Sequence, residues 1–164
     1  MNSAISRVLA TDNSLAGLAL RIPAGIIFTA HGAQKLFGSF GGDGLTGTGQ
    51  WLGSIGLEPG YLMALLAGGA EFFGGLALLI GLVTRPAAVT LAFTMLVAIF
   101  AVHFPNGLFL SNNGYEFGLA LLAISVALAI TGGGALSVDR KLTSGERAEN
   151  VPADKDAAGV LPAQ

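Results

Sequence analysis

Four long apolar runs dominate the pattern of hydrophobic and polar positions along the chain. Each is close to the roughly 20 residues that an α-helix needs to cross about 30 Å of hydrocarbon. The runs are continuous rather than alternating, which favours helices over the strands of a membrane barrel. The pattern therefore predicts an all-α integral membrane protein, a four-helix bundle with helices at residues 15–37, 61–83, 86–104 and 115–131.

The first loop, residues 38–60, is rich in glycine but keeps apolar residues at helical spacing. This spacing predicts a short helix on the membrane surface, with an apolar face made of Trp51, Leu52, Ile55 and Gly56. Residues 1–141 then form one transmembrane domain. The polar, Ala/Pro-rich and charged composition of residues 142–164 predicts a disordered cytoplasmic tail.

Basic residues predict the orientation of the chain in the membrane. They collect at one set of helix ends: Arg7, Arg21, Arg85, Arg140, Lys141 and Arg147. By the positive-inside rule this side faces the cytoplasm, so both termini are expected there and the loops 38–60 and 105–114 face outward. Arg21 needs no protein partner in this interpretation, because its side chain can snorkel to lipid phosphates.

Composition supports a membrane protein and excludes several functions. Of the 164 residues, 52% are hydrophobic and only 11% are charged, against about 25% charged in a typical soluble domain. The chain has no cysteine, which excludes disulfides, cysteine-ligated zinc and iron–sulfur clusters, and it carries no haem or flavin motif. A net charge of -2 with scattered basic residues excludes nucleic acid as a partner.

Ionisable residues inside the apolar runs are the candidates for chemistry. Each costs about 2.5–3.5 kcal/mol at mid-bilayer, so it needs a partner, a cavity or a route to the interface. The predicted topology places five of them in the outer half of the bundle: His31, Lys35, Glu71, His103 and Glu116.

Glu71 is the most informative of the five, because it lies about ten residues, roughly 15 Å, into its helix. Small residues share its face, so this face is predicted to point into the bundle, where the carboxylate pairs with His31 or Lys35 or handles protons. The alternatives are structural. Lys35 snorkels, His31 and a protonated Glu71 bond to neighbouring backbone, and His103 and Glu116 are simply interfacial.

Several segments together resemble the DoxX family over about residues 15–141. They are residues 31–38 (HGAQKLFG), 68–75 (GGAEFFGG), 81–85 (GLVTR) and 132–139 (GGGALSVD), with Arg21, His103 and Glu116 at fitting positions. The resemblance implies a four-helix, multi-pass protein of the bacterial inner membrane. It also implies a link to quinone chemistry or oxidative stress, since a related protein is the membrane subunit of a thiosulfate:quinone oxidoreductase.

The hypothesis that combines residues and resemblance is a quinone-linked oxidoreductase, or the membrane subunit of one. His31, Lys35, Glu71, His103 and Glu116 would supply its catalytic groups. Phe28, Phe72 and Phe73 would wall the ring of the quinone, and Asn112 would line the mouth of the pocket. The lipid bilayer, a quinone or quinol, a redox partner subunit and further copies of the chain are the expected partners.

Other functions stay open at this point. A buried Glu beside His and Lys is also typical of a small proton-coupled transporter. A third possibility is a non-catalytic membrane anchor of a redox or stress-defence complex, in which polar contacts only hold helices in register. A metal site ranks lower because Lys35 would repel a cation, so no metal ligand is assigned.

Overall fold

The computed structural model describes residues 9–11 and 13–149, and every regular element in this part of the chain is helical. It contains no β-strand there, and its α-helices are α1 Leu15–Phe37, α2 Gly44–Ser54, α3 Gly60–Ile80, α4 Thr84–Ala98, α5 Glu116–Thr131 and α6 Val138–Glu149. The predicted all-helical class is confirmed for these residues. Arg7, which supported the predicted orientation, and residues 150–164 of the predicted tail lie outside them.

Among the described residues, three helical segments are long and apolar enough to cross a membrane: Leu15–Phe37, Gly60–Ile80 and Thr84–Asn106. The apolar helix α5 is shorter, at 16 residues. The four helices present large apolar side chains outward, for example Phe73 at 66%, Phe93 at 67% and Ile130 at 67% exposure. Such surfaces are unfavourable in water and suit contact with lipid tails.

Successive apolar helices run in opposite directions, so the connections gather at two ends. The loop end carries residues 38–59 and 104–115. The terminal end carries residues 9–11, 13–14, 81–83 and 132–140. There the amide of Ala135 donates to the carbonyl of Ser14 (2.9 Å), and the amide of Asp139 donates to the carbonyl of Gly81 (2.9 Å).

Helices α1 and α3 pack backbone against backbone along a seam of glycines. A Cβ added at Gly32 would lie 2.3 Å from the backbone nitrogen of Phe72, and one added at Gly25 would lie 2.9 Å from the carbonyl oxygen of Gly75. Gly68, seven residues before Gly75, continues the seam on α3. Only residues without a side chain permit so close an approach of two helices.

The centre of the molecule between the two ends is apolar. Leu78 of α3, Leu91 of α4 and Leu128 of α5 are fully buried, and Phe28 of α1 is 1% exposed. These side chains belong to one hydrophobic cluster to which all four apolar helices contribute. The packed centre joins α1 and α3 to the α4–α5 pair.

Glycines in the left-handed conformation end two of the helices. Gly38 (φ 71°) ends α1, and its amide donates to the carbonyl of Gln34. Gly81 (φ 67°) ends α3 at Ile80, three residues before the end that hydrophobicity predicts. Hydrophobicity continues through Leu82 and Val83, but the backbone turns because glycine adopts this conformation without steric cost.

The predicted helix 86–104 is interrupted before its end. Helix α4 begins at Thr84, and a π-helical turn over Ile99–His103 and a 3₁₀ turn over Phe104–Asn106 follow it. A π-helical turn is wider than an α-helical turn and changes the direction of the side chains that follow. The direction of the His103 side chain therefore cannot be deduced from α-helical spacing.

The short helix predicted in the first loop is present as α2, packed against the beginning of α3. Leu52 is buried and Trp51 is 45% exposed, as expected for an interfacial helix. Ile55 and Gly56 lie just beyond the end of α2, because the helix ends at Ser54 and Gly56 has a positive φ of 88°. The predicted apolar face is therefore shorter than the sequence pattern indicates.

The prediction that Arg21 snorkels to lipid is wrong. Its side chain is 2% exposed and binds protein carbonyls at the terminal end. It donates hydrogen bonds to the carbonyl oxygens of Leu78, Leu79, Gly133, Ala135 and Leu136, at 2.5–3.3 Å. A guanidinium has five N–H donors in a planar fork, which allows one side chain to bind the end of α3 and the 132–137 segment together.

Asp139 completes this junction from the other side of the terminal end. Its carboxylate is 1% exposed and accepts hydrogen bonds from the amides of Val83 (2.7 Å) and Thr84 (2.8 Å), at the start of α4. A negative charge at a helix N-terminus satisfies free amides and is stabilised by the helix dipole. We call Arg21, Asp139 and these partners the terminal clasp.

Helix α6 begins at Val138, contains Asp139 in its first turn and continues to Glu149. It therefore includes the first residues of the segment 142–164 that composition predicts as a tail. Arg140 on α6 donates a hydrogen bond to the side chain of Asn13, so the beginning of the helix is attached to the terminal end. Within the helix, the hydroxyl of Thr143 donates to the carbonyl of Asp139 (3.0 Å).

Candidate functional site

Lys35 and Glu71 form an ion pair within the apolar helices. The Nζ atom of Lys35 lies 2.6 Å from Oε2 of Glu71 and donates a hydrogen bond to it. The Glu71 side chain is 5% exposed and the Lys35 side chain 28%. Glu71 projects from the buried face of α3 that also carries Ala64, Gly68 and Gly75, as the sequence pattern predicts.

The glycine seam determines this geometry. Lys35 is three residues from Gly32, and Glu71 precedes Phe72, whose backbone is the group that Gly32 approaches. Because the helix backbones are in contact at this level, the two side chains meet without a gap for lipid or another side chain. The carboxylate is thereby paired in a region where an unpaired charge is costly.

His31 lies on α1 one turn before Lys35, toward the terminal end. Its ring is half-buried and packs against the ring of Phe117 of α5, with centroids 6.1 Å apart and planes tilted by 52°. The imidazole is within electrostatic range of both Lys35 and Glu71. Three of the five predicted catalytic residues are therefore neighbours, and His31 extends the site from α1 to α5.

The aromatic residues predicted to wall the site are not equivalent. Phe72 packs edge to face against Phe37 (centroids 5.2 Å apart) and Phe73 (5.3 Å), and both of these partners are largely exposed on the apolar surface. These three rings form an aromatic group on the outside of the α1–α3 seam. Phe28, in contrast, is buried in the apolar centre.

His103 and Glu116 shape the loop end. Nδ1 of His103 donates to the carbonyl of Asn113 (2.9 Å), and the Glu116 carboxylate accepts from the amide of Leu110 (2.5 Å). Among the described residues, no hydrogen bond or ion pair joins either side chain to Lys35, Glu71 or His31. The structure thus does not join these two residues to the ion pair.

Asn112, predicted to line the mouth of the pocket, lies in the exposed 3₁₀ turn Leu110–Asn112 of the same loop. In the part of the chain that the structure describes, no group of three or more His, Asp or Glu side chains is placed to hold a metal ion. The ion pair with its nearby imidazole offers N–H donors and a group that can accept a proton, which suits hydrogen bonding and proton transfer.

The DoxX family model matches residues 16–104. A Bacillus subtilis (strain 168) protein named "Putative oxidoreductase CatD" is 38% identical over 83% of this chain and 93% of its own length. Two Escherichia coli (strain K12) proteins are similar as well. "Inner membrane protein YqjF" is 37% identical over 76% of this chain and 90% of its own length. "Inner membrane protein YphA" is 31% identical over 76% of this chain and 88% of its own length.

No solved structure shows a significant match to the chain. The family model covers more than half of the 164 residues, including the segments of α1 and α3 that form the ion pair. The chain belongs to the DoxX family.

Proposed function

We propose that the chain is a multi-pass protein of a bacterial inner membrane in which α1, α3, α4 and α5 form a four-helix bundle with both termini in the cytoplasm. The names of the relatives YqjF and YphA support the location. Basic residues at the terminal end, Arg85, Arg140 and Lys141, support the orientation, since the positive-inside rule places such residues in the cytoplasm.

Within this bundle we propose quinone-linked oxidoreduction, performed by the chain itself or as the membrane subunit of a complex. The observation that carries the proposal is the Lys35–Glu71 ion pair, 2.6 Å long and embedded between two membrane helices. Ionisable residues at such depth are costly and usually serve a function. The relative named an oxidoreductase supports the reaction class.

The donors present fit a quinone carbonyl. An ammonium has three N–H donors, and Lys35 uses one of them for Glu71, so further donors remain for a carbonyl oxygen. The Lys35 side chain is partly exposed, and the exposed rings of Phe37 and Phe73 offer an aromatic approach from the lipid side. An apolar ring could therefore reach the ammonium without crossing water.

The chain's residues would supply protons and orientation rather than electrons. A quinone takes up two electrons and two protons when it becomes a quinol, and the chain contains no cysteine to deliver the electrons. The electrons would come from a two-electron reductant that either binds beside the quinone directly or is brought by a partner subunit. Lys35 would polarise the carbonyl, and Glu71 and His31 would hold protons near it. His103 and Glu116 would order the loop above.

Mass spectrometry of lipids extracted from the purified protein tests this function. The parent, prepared in mild detergent, is expected to retain quinone near one molecule per chain. A variant that combines His31→Ala with Glu71→Gln is expected to fall to the background level while it elutes as a folded protein. Glu58→Gln, at an exposed position of the first loop, is the matched carboxylate control and should resemble the parent.

Equal background quinone in all three proteins would refute the quinone proposal. The single substitution Glu71→Gln also addresses the other candidate functions. An anchor that uses the ion pair only to hold α1 to α3 would keep assembling with its partner after Glu71→Gln. A proton-coupled transporter would lose solute uptake in proteoliposomes with the same substitution.

A further inference from the structure

We propose that the Lys35–Glu71 site exchanges protons with water at the loop end alone and is sealed from the terminal end. This inference deepens the proposed function and rests on it, since it names the side on which the reaction takes up or releases protons. In the proposed orientation that side is the outer face of the membrane.

The more exposed member of the ion pair, Lys35, is the one that lies closer to the loop end. Lys35 is two residues before the end of α1 at Phe37, and its side chain is 28% exposed, whereas that of Glu71 is 5% exposed. Glu71 lies deeper along α3, which begins at Gly60. Lys35 is therefore the member of the pair that is both more exposed and closer to the loop end.

An apolar layer separates the ion pair from the terminal end. Its members are Phe28, Leu78, Leu91 and Leu128, one from each apolar helix and each at most 1% exposed. Proton transfer requires a continuous chain of water or polar groups. In the described residues this level offers only separate buried hydroxyls, those of Thr29 and Ser125, and neither of them has a hydrogen-bond partner. The glycine seam also closes the space between α1 and α3 along this path.

The terminal clasp forms a second barrier beyond this layer. Arg21 binds the carbonyls at the end of α3 and of the 132–137 segment, and Asp139 binds the amides at the start of α4. Both side chains are almost completely buried, at 2% and 1% exposure. The clasp therefore joins three of the helix ends that a channel to the cytoplasm would have to separate.

The titratable groups around Glu71 could pass protons in one direction only, toward the loop end. On α1 they are His31 and Lys35, and on α3 only Tyr61 near the loop end accompanies Glu71. Residues 86–102 and 117–131 contain none, and the next titratable groups toward the loop end are His103 and Glu116. Arg21 and Arg85 lie at the terminal end, on the other side of the apolar layer, where each binds backbone carbonyls. Every titratable neighbour within the bundle is level with Glu71 or closer to the loop end.

The pair can move a proton without leaving a net charge in the membrane. An N–H bond of the Lys35 ammonium breaks as an O–H bond forms on Oε2 of Glu71, which gives a neutral amine and a neutral acid. The acid then passes its proton to an oxygen of the quinone as the quinone is reduced, and the amine regains a proton from a hydronium ion at the loop end, which restores the ion pair. Because the intermediate pair is uncharged, it avoids the cost of an unpaired charge in the bundle.

Accessibility of single cysteines tests the proposal, because the parent chain has no cysteine. His31→Cys places a thiol in the site, and Ser125→Cys places one in the buried centre, between Leu121 and Leu128 on the inner face of α5. Ser54→Cys and Ser144→Cys, both exposed, identify the loop end and the terminal end. Each variant is reconstituted in phosphatidylethanolamine–phosphatidylglycerol vesicles.

Membrane-impermeant sulfonatoethyl methanethiosulfonate is added outside, and intact mass reports the modified fraction. Ser54→Cys and Ser144→Cys show which end of the protein faces outward in a given vesicle preparation. When the loop end faces outward, His31→Cys should react at least an order of magnitude faster than when the terminal end faces outward. Ser125→Cys should react in neither. If His31→Cys does not fold, Lys35→Cys combined with Glu71→Gln carries the same expectation.

Reaction at the site from the terminal end, equal reaction from both ends, or no reaction from either end would overturn the proposal. Modification of Ser125→Cys would also overturn it, by showing water in the layer proposed to be sealed. The outcome does not depend on quinone. If the site is labelled from the loop end but the protein retains no quinone, only the quinone proposal is refuted. If the protein retains quinone but the site is labelled from the terminal end, only the proposal of proton exchange at the loop end is refuted.

Discussion

Gly32 of α1 faces the backbone of Phe72 of α3 so closely that a Cβ on Gly32 would lie 2.3 Å from the Phe72 nitrogen. This contact sets the distance between the two helices, and the Lys35–Glu71 pair lies beside it. The ion pair is therefore a consequence of backbone packing as well as of charge.

Gly32→Ala is expected to destabilise the protein, because α1 and α3 must separate to admit the methyl group. Overpacking of this kind costs about 1–3 kcal/mol. Thermal unfolding in detergent measures the effect. Gly69→Ala is the matched control, since nothing lies within 4 Å of its added Cβ in the same region of α3, and its stability should be equal or slightly higher. Equal loss in both variants would contradict a specific role for the seam.

Removing one partner of the ion pair is expected to cost more stability than removing both. Lys35→Met leaves the 5% exposed Glu71 without its ammonium, which for a buried pair costs about 3–5 kcal/mol. The combination Lys35→Met with Glu71→Gln leaves no charge and should recover most of the loss. Denaturant unfolding of the four proteins of this double-mutant cycle measures the coupling. Additive effects would show that the two side chains do not interact.

Arg21→Lys is expected to be severely destabilising although it keeps the charge. An ammonium has three donors at one atom and cannot reach all five carbonyls that the guanidinium binds at the ends of two segments. Loss of two or more buried hydrogen bonds costs about 1–3 kcal/mol for each carbonyl left unsatisfied. Thermal unfolding and amide hydrogen exchange around residues 132–137 report the loss.

Arg85→Lys provides the comparison for Arg21→Lys. Within the part of the chain that the structure describes, Arg85 makes a single hydrogen bond, from Nε to the carbonyl of Ala10 (2.8 Å), and it is only half-buried. Its replacement should change stability much less. If Arg85→Lys is as harmful as Arg21→Lys, then a general loss of arginine, rather than the clasp, explains the effect.

Asp139→Asn is expected to loosen the start of α4. The amide side chain has one acceptor oxygen and an NH₂ group that faces a backbone amide, so one of the bonds to Val83 and Thr84 is lost and a donor meets a donor. Unfolding measurements should show a loss of about 1–3 kcal/mol. Asp43→Asn, at an exposed position before α2 with no capping bond, should leave stability unchanged.

Much of the helical layout could be predicted from the sequence, because hydrocarbon requires about 20 apolar residues per span and leaves that pattern in the chain. The prediction fails in detail where a single backbone conformation decides. Gly81 ends α3 inside an apolar run, and the π-helical turn Ile99–His103 redirects His103. Hydrophobicity carries no information about either event.

The sequence by itself determined that a few charged residues had to find partners, since lipid tolerates no isolated charge. Which partners they found was decided only in the folded chain. Glu71 pairs with Lys35 rather than His31, since the glycine seam brings α1 and α3 into contact at that level. Arg21 is buried rather than snorkelling, because its acceptors at Gly133 to Leu136 come from a segment more than a hundred residues away along the chain.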